Sequence, residues 1–161
     1  MADSEPTRTA ARPTTVSLRR ARPDDAADVA ALLVELGYPD NEVAAVGQRL
    51  AMWAQEPAGV VLVAQLGGRV VGTVAVAAIP YLEQEGRWGR IVALVVSAEC
   101  RGQGVGRQLV EAAEAAASGL GCVKMEVSSS RARTESHPFY RSLGYRDWAD
   151  RSTRYLKDTS P

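Results

Sequence analysis

The apolar positions along this chain change period several times, and each change marks an element. Val16 and Leu18 alternate with polar neighbours up to Arg22, which predicts a short strand over 16–22 with one polar face. Pro23 then opens a helix, with Asp24 and Asp25 in the first turn, where carboxylates favour the positive end of the helix dipole. Ala26, Val29, Leu32, Leu33 and Leu36 keep a helical stripe until Gly37 and Pro39 stop it. A second helix starts at Asp40 or Asn41 and buries Val43, Val46, Leu50 and Trp53. GVVLVAQL (59–66), Gly67-Gly68 and RVVGTVAVAA (69–78) predict an antiparallel hairpin, because the glycine pair supplies the positive φ angles of a two-residue turn.

A loop over 79–86 carries Pro80, Tyr81, Glu83 and Glu85, and WGRIVALVV (88–96) follows as a strand buried on both faces. After ECRGQG, helical spacing returns with Val105, Leu109, Ala112, Ala113, Ala116 and Leu120, ended by Gly119 and Gly121. Cys122–Val127 reads as a strand, 136–143 as a short helix closed by Gly144, and 145–156 as two more short strands. The expected fold class is α/β, and the hairpin excludes a purely parallel sheet.

Composition narrows this picture. A chain of 161 residues supports one core, so a single domain is expected over 16–161 behind a flexible N-terminal tail over 1–15. Asp3 and Glu5 in that tail count against a transit peptide. Nineteen basic residues balance nineteen acidic ones, so no overall field recruits nucleic acid or an anionic membrane. No apolar run approaches the ~20 residues of a membrane-spanning helix. Cys100 and Cys122 form no CxxC pair and no ligand spacing with His137, so no metal site is expected. With no signal-peptide pattern, the expected location is cytoplasmic.

The chemistry gathers at RGQGVGR (101–107), a glycine-rich turn between a strand and a helix. Such a turn presents N–H groups at the positive dipole end, and glycines let phosphate oxygens approach the backbone. Arg101 and Arg107 bracket it, so a pyrophosphate would gain charge-assisted hydrogen bonds. A Walker loop is excluded by the missing lysine. A dinucleotide fingerprint is disfavoured because the turn comes late, after an antiparallel hairpin, with Gly102, Gly104 and Gly106 alternating. A plain tight turn is the remaining alternative.

RGQGVG resembles the [R/Q]xxGxG/A signature of the GNAT superfamily of acyl-CoA-dependent N-acyltransferases, at Arg101, Gly104 and Gly106. ALVV ahead of it resembles that family's fourth strand, and HPFYRSLGY (137–145) its downstream FYxxLGF segment. The likeness runs from about Val16 to Lys157, and LGYP (36–39) looks closest to small bacterial members. The resemblance implies a GNAT fold, with a mixed, mostly antiparallel sheet of about six to seven strands flanked by about four helices. It also implies acetyl-CoA as donor, its pyrophosphate cradled by Arg101, Gly102, Gln103, Gly104, Val105, Gly106 and Arg107. Pantetheine would lie along Leu94, Val95 and Val96, with the Leu94 N–H on the thioester carbonyl. Tyr140 would stand near the sulfur as general acid, and Arg141 and Ser142 could touch the cofactor.

This sequence departs from the family pattern at two places. Arg90 and Val92 occupy strand positions where members often carry a glutamate base, and Arg133 replaces a cofactor-binding asparagine. An ammonium still has to lose a proton before it attacks. Glu83 and Glu85 are the expected bases, with Glu126 or an ordered water as alternatives; His137 reads better as a structural histidine. Tyr81 and Trp88 lie in segments that approach the acceptor side, whereas Trp53 suits the core. Cys100 lacks a partnered base, so no covalent acyl-enzyme is expected. The implied function is transfer of acetyl from acetyl-CoA to a primary amine in a ternary complex. The amine could be an aminoglycoside, polyamine, amino acid or protein amine. A non-catalytic acyl-CoA sensor and a nucleotide-binding domain are the rival readings. Many family members are dimers, so a homodimer is compatible with the resemblance.

Overall fold

The computed structural model describes residues 15–159, so the expected tail over 1–15 lies outside the described residues but for Thr15. Contacts divide the chain after Val127 into two units. The first holds a five-stranded sheet in sequence order. β1 (Ser17–Arg20), β2 (Gly59–Leu66), β3 (Arg69–Pro80) and β4 (Arg87–Val96) pair antiparallel, and β5 (Cys122–Val127) joins β4 in parallel. The sheet is therefore mixed and mostly antiparallel, as expected from the hairpin.

α1 (Ala26–Leu36) and α2 (Val43–Gln55) pack on one face, where Val29, Leu32, Val46 and Leu50 meet Val63, Val70 and Val95. α3 (Val105–Gly119) covers the other, burying Val105, Leu109, Val110 and Ala113 almost completely. Gly72 and Gly89 let it come close: a Cβ at Gly72 would stand 2.9 Å from Leu109 Cδ1, and one at Gly89 would collide with the Met125 sulfur.

Side chains explain where the elements start. Pro23–Asp25 forms a 3-10 turn before α1, because Asp25 takes the Arg22 N–H at 2.7 Å and a bidentate pair from Arg19 at 2.7 and 2.8 Å. α2 begins at Val43 rather than at Asp40 or Asn41, since the Asn41 amide donates to the Tyr38 carbonyl at 2.8 Å and its oxygen accepts from Arg49. The Gly67-Gly68 turn has φ of 57° and 85°, as the hairpin required.

The second unit holds α4 (Ser136–Ser142) and no strand among its described residues. The count of six to seven strands is thus too high, because the two strands expected over 145–156 do not form. Asp147 Oδ1 accepts the Ala149 N–H at 3.0 Å, and the Trp148 carbonyl takes the Arg151 and Ser152 N–H groups. These local bonds turn the chain and consume the donors a ladder would need. Arg146 and Arg151 stack over Trp148 at 5.9 and 5.0 Å.

Candidate active site

β4 changes character halfway along. Its register with β3 pairs Ile91 with Val76 and Ala93 with Ala75, which leaves Val92 as an extra residue, a bulge. β5 pairs with β4 only from Arg87 to Ile91, so Val92–Val96 has no ladder partner on the β5 side. The backbone phase of this open stretch follows from one bond. Ser97 N–H donates to the Val71 carbonyl at 2.8 Å, and hydrogen-bonded pairs alternate along an antiparallel ladder. Val95 and Ala93 therefore bond to β3, while the N–H and C=O groups of Leu94 and Val96 point to the open side. The Val96 carbonyl fits this phase, since it accepts from Arg101 Nε at 3.0 Å. The Val95 side chain is buried in the α1–α2 core.

The chain leaves β4 through a 3-10 turn at Ala98–Cys100 and enters the glycine turn. Gly102 and Gly104 have φ of 74° and 83°, a region L side chains avoid, and nothing lies within 4 Å of where their Cβ atoms would be. Gly104 caps α3, so the N–H groups of its first turn, from Val105 and Gly106 onward, have no acceptor within the helix. Open backbone with unpaired N–H groups at a helix start suits a pyrophosphate. The Gln103 amide folds back to the Glu99 carbonyl at 3.0 Å, bracing the turn.

The two arginines do less free bracketing than their positions suggest. Arg107 lies 3.8 Å from Glu111 on its own helix. Arg101 turns back: beside its bond to Val96, Nη2 meets Glu35 Oε2 at 3.2 Å. Glu35, near the end of α1, also accepts the Ala98 N–H at 2.8 Å. Glu35 belongs to no motif, and its one signal in the sequence is its place as an acid in the last turn of a helix, where it opposes the dipole.

The carboxylates and aromatics fall as follows. Tyr81 and Gly86 close the β3–β4 connection through an N–H to carbonyl bond of 3.2 Å, because β3 runs on to Pro80. Glu83 and Glu85 are exposed in this loop, and Glu83 accepts the Leu82 N–H at 3.2 Å. Glu126 is half-buried on β5, directly beside Arg90. Tyr81 and Trp88 pack edge to face at 5.7 Å, and the Tyr81 hydroxyl and Trp88 Nε1 are buried without a hydrogen-bond partner. Trp53 lies apart from this pair, in a crevice of about 70 Å³ between α2 and the β1–β2 pair.

In the second unit, Tyr140 on α4 packs against Phe139 and Tyr145 at 5.1 and 5.9 Å. Burial pushes its phenol above the ordinary tyrosine value, against a smaller pull from the Arg133 charge. His137 Nε2 lies 3.2 Å from the Ser130 carbonyl, a local structural bond. Ser142 Oγ donates to the Phe139 carbonyl at 2.7 Å. Cys100 is buried. Among the described residues no three His, Cys, Asp or Glu side chains gather as a metal site, and no helix is long and apolar enough to cross a membrane.

Known proteins resemble this chain. The sequence pattern of the acetyltransferase (GNAT) family matches residues 28–145. An aminoalkylphosphonate N-acetyltransferase of Salmonella typhimurium is 32% identical over 139 residues, covering 86% of this chain and 90% of that protein. Among solved structures, a transcriptional regulator from Bacillus halodurans superposes with a TM-score of 0.79 at 25% identity, over 91% of this chain and all of that one (100%). The aminoglycoside N-acetyltransferase AAC(6')-Iy in complex with CoA shares the fold, with a TM-score of 0.78 at 18% identity over 94% of this chain and 98% of its own.

Proposed function

Because the chain belongs to the acetyltransferase (GNAT) family and is an acetyltransferase, we propose that it moves acetyl from acetyl-CoA to a primary amine by direct attack in a ternary complex. One observation carries this reading: the open side of β4 at Leu94 and Val96 leads within ten residues into the glycine turn at Gly102–Gly106. A ligand with an amide-bearing arm and a pyrophosphate can satisfy both along one path. The Leu94 and Val96 backbone would pair with the arm as a neighbouring strand would, and the α3 N-terminus would hold the diphosphate.

In this arrangement the Leu94 N–H faces the thioester carbonyl and meets negative charge as it develops on the oxygen. Tyr140, kept protonated by its raised pKa, gives its proton to the departing sulfur. Glu83, Glu85 and Glu126 are the candidate acceptors of the ammonium proton. The proposed acceptor is a small amine, and the Salmonella relative directs the first panel toward amines carrying a phosphonate. Arg90, on the strand that holds Leu94, adds a positive charge suited to such an acceptor.

The deciding experiment follows thiol release from acetyl-CoA against a panel of aminoalkylphosphonates, amino acids, polyamines and aminoglycosides. Acceptor-dependent release is expected. Tight acetyl-CoA binding with no release for any amine would overturn the catalytic mechanism in favour of an acyl-CoA-binding module.

A further inference from the structure

Glu35 is placed against local preference. It occupies the last turn of α1, where the helix dipole disfavours a carboxylate and where the helix itself carries no basic residue. It also brings negative charge to the strand end that leads into the glycine turn. Two such costs at one position point to a use. The carboxylate oxygen Oε2 accepts the Ala98 N–H at 2.8 Å and Arg101 Nη2 at 3.2 Å. Arg101 in turn donates from Nε to the Val96 carbonyl at 3.0 Å. One side chain on α1 thus ties together the last residue of β4, the turn that follows it and the first residue of the glycine loop.

We propose that Glu35 is a positioning residue for acetyl-CoA: through Ala98 and Arg101 it fixes the geometry of the 97–104 turn relative to the open side of β4. The inference rests on the reading above, in which Val96 and the glycine turn hold two parts of one ligand. Those parts are joined covalently, so the two backbone sites must keep a fixed spacing. Within the turn, Gln103 ties only to Glu99, and Gly102 and Gly104 have no side chains that could tie it to β4. Glu35 supplies the external strut. Arg101 directs its planar fork to both the carbonyl and the carboxylate, which fixes it sideways to the turn and leaves the Gly102–Gly106 backbone to face the ligand.

The pair is well exposed, with 55% of the Arg101 and 35% of the Glu35 side-chain surface accessible. Exposed pairs add little to folding stability, so a positioning role and a merely structural one separate cleanly. In the full-length chain, Glu35→Ala should raise the KM for acetyl-CoA about tenfold while kcat at saturation changes less than about twofold. Its Tm should stay within about 3 °C of wild type. Glu35→Gln keeps an oxygen for Ala98 and Arg101 and should recover most of the affinity. The double variant Glu35→Ala/Arg101→Ala should bind no more weakly than Arg101→Ala, since Glu35 acts largely through that guanidinium. An unchanged acetyl-CoA KM in Glu35→Ala would overturn the inference. So would a lower KM, which would show that the carboxylate merely repels the diphosphate. A wild-type chain that does not bind acetyl-CoA would defeat the underlying functional reading as well; binding by wild type with no change in the variant would defeat this inference alone.

Discussion

Tyr140 and Gly104 show what single residues can be asked. Burial raises the Tyr140 phenol above its ordinary range, so the acid form persists through neutral pH and is lost only as pH climbs past that raised value. Tyr140→Phe should lower kcat by about 10²-fold or more, leave the acetyl-CoA KM nearly unchanged, and abolish the high-pH fall in the pH–rate profile. An unaltered rate across pH would exclude it as the acid. Gly104→Val forces a β-branched residue to φ 83° and puts carbon where phosphate oxygens would approach. The apparent acetyl-CoA constant should rise more than tenfold, measured by isothermal titration; unchanged affinity would remove the turn from the site. The glycines were legible in the sequence because positive φ has a residue-level signature. The work of Arg101 was not: its position beside the turn suggested a ligand contact, whereas it folds back onto Val96 and Glu35, 66 residues away in the chain. Distant partners leave no local pattern.

At the scale of elements, apolar period and turn glycines identified the five strands and four α-helices of the described residues, with ends shifted by a few residues. Apolar period could not reveal the bulge at Val92, because IVALVV is apolar at every position and a phase change in such a run leaves no trace. It also overcounted strands where Asp147 and Trp148 make turns. Two element-level tests follow from the packing. Gly89→Ala would drive a methyl into Met125 and to 3.1 Å from Ala117, wedging α3 from the β4–β5 pair. It should destabilise by about 1–3 kcal/mol in urea unfolding. Asp25 joins β1 to the start of α1, and the Arg19 hydrogen bonds hold its carboxyl below the ordinary aspartate value against the opposing effect of burial. A depressed folded pKa contributes stability that is complete above the unfolded value and is lost as pH falls through the folded one. Asp25→Asn should therefore cost about 2 kcal/mol at pH 7 and progressively less below about pH 4, read from denaturation midpoints across pH.

For the whole molecule, the order of elements was the most legible feature, since the hairpin, the late glycine turn and HPFYRSLGY fall in a sequence few folds share. The acceptor was not, because the candidates for its site, Tyr81, Trp88, Glu83, Glu85 and Glu126, come from separate segments and carry no common motif. Acetyl-CoA that binds only the folded chain should add about 2.7 kcal/mol of stability at a hundredfold excess over Kd, seen as a rise in Tm. ATP or NAD should produce no such rise. The open side of β4 has a final consequence for the protein without its ligand. IVALVV is uncharged, free of proline and rich in β-branched residues, and beyond Ile91 β5 leaves its outward carbonyls and amides without a ladder. A strand in that state is a template for aggregation. A coenzyme A bound along it, as proposed, would act as a chaperone for its own enzyme, so light scattering during storage or mild heating should be highest in ligand-free preparations and suppressed by coenzyme A alone.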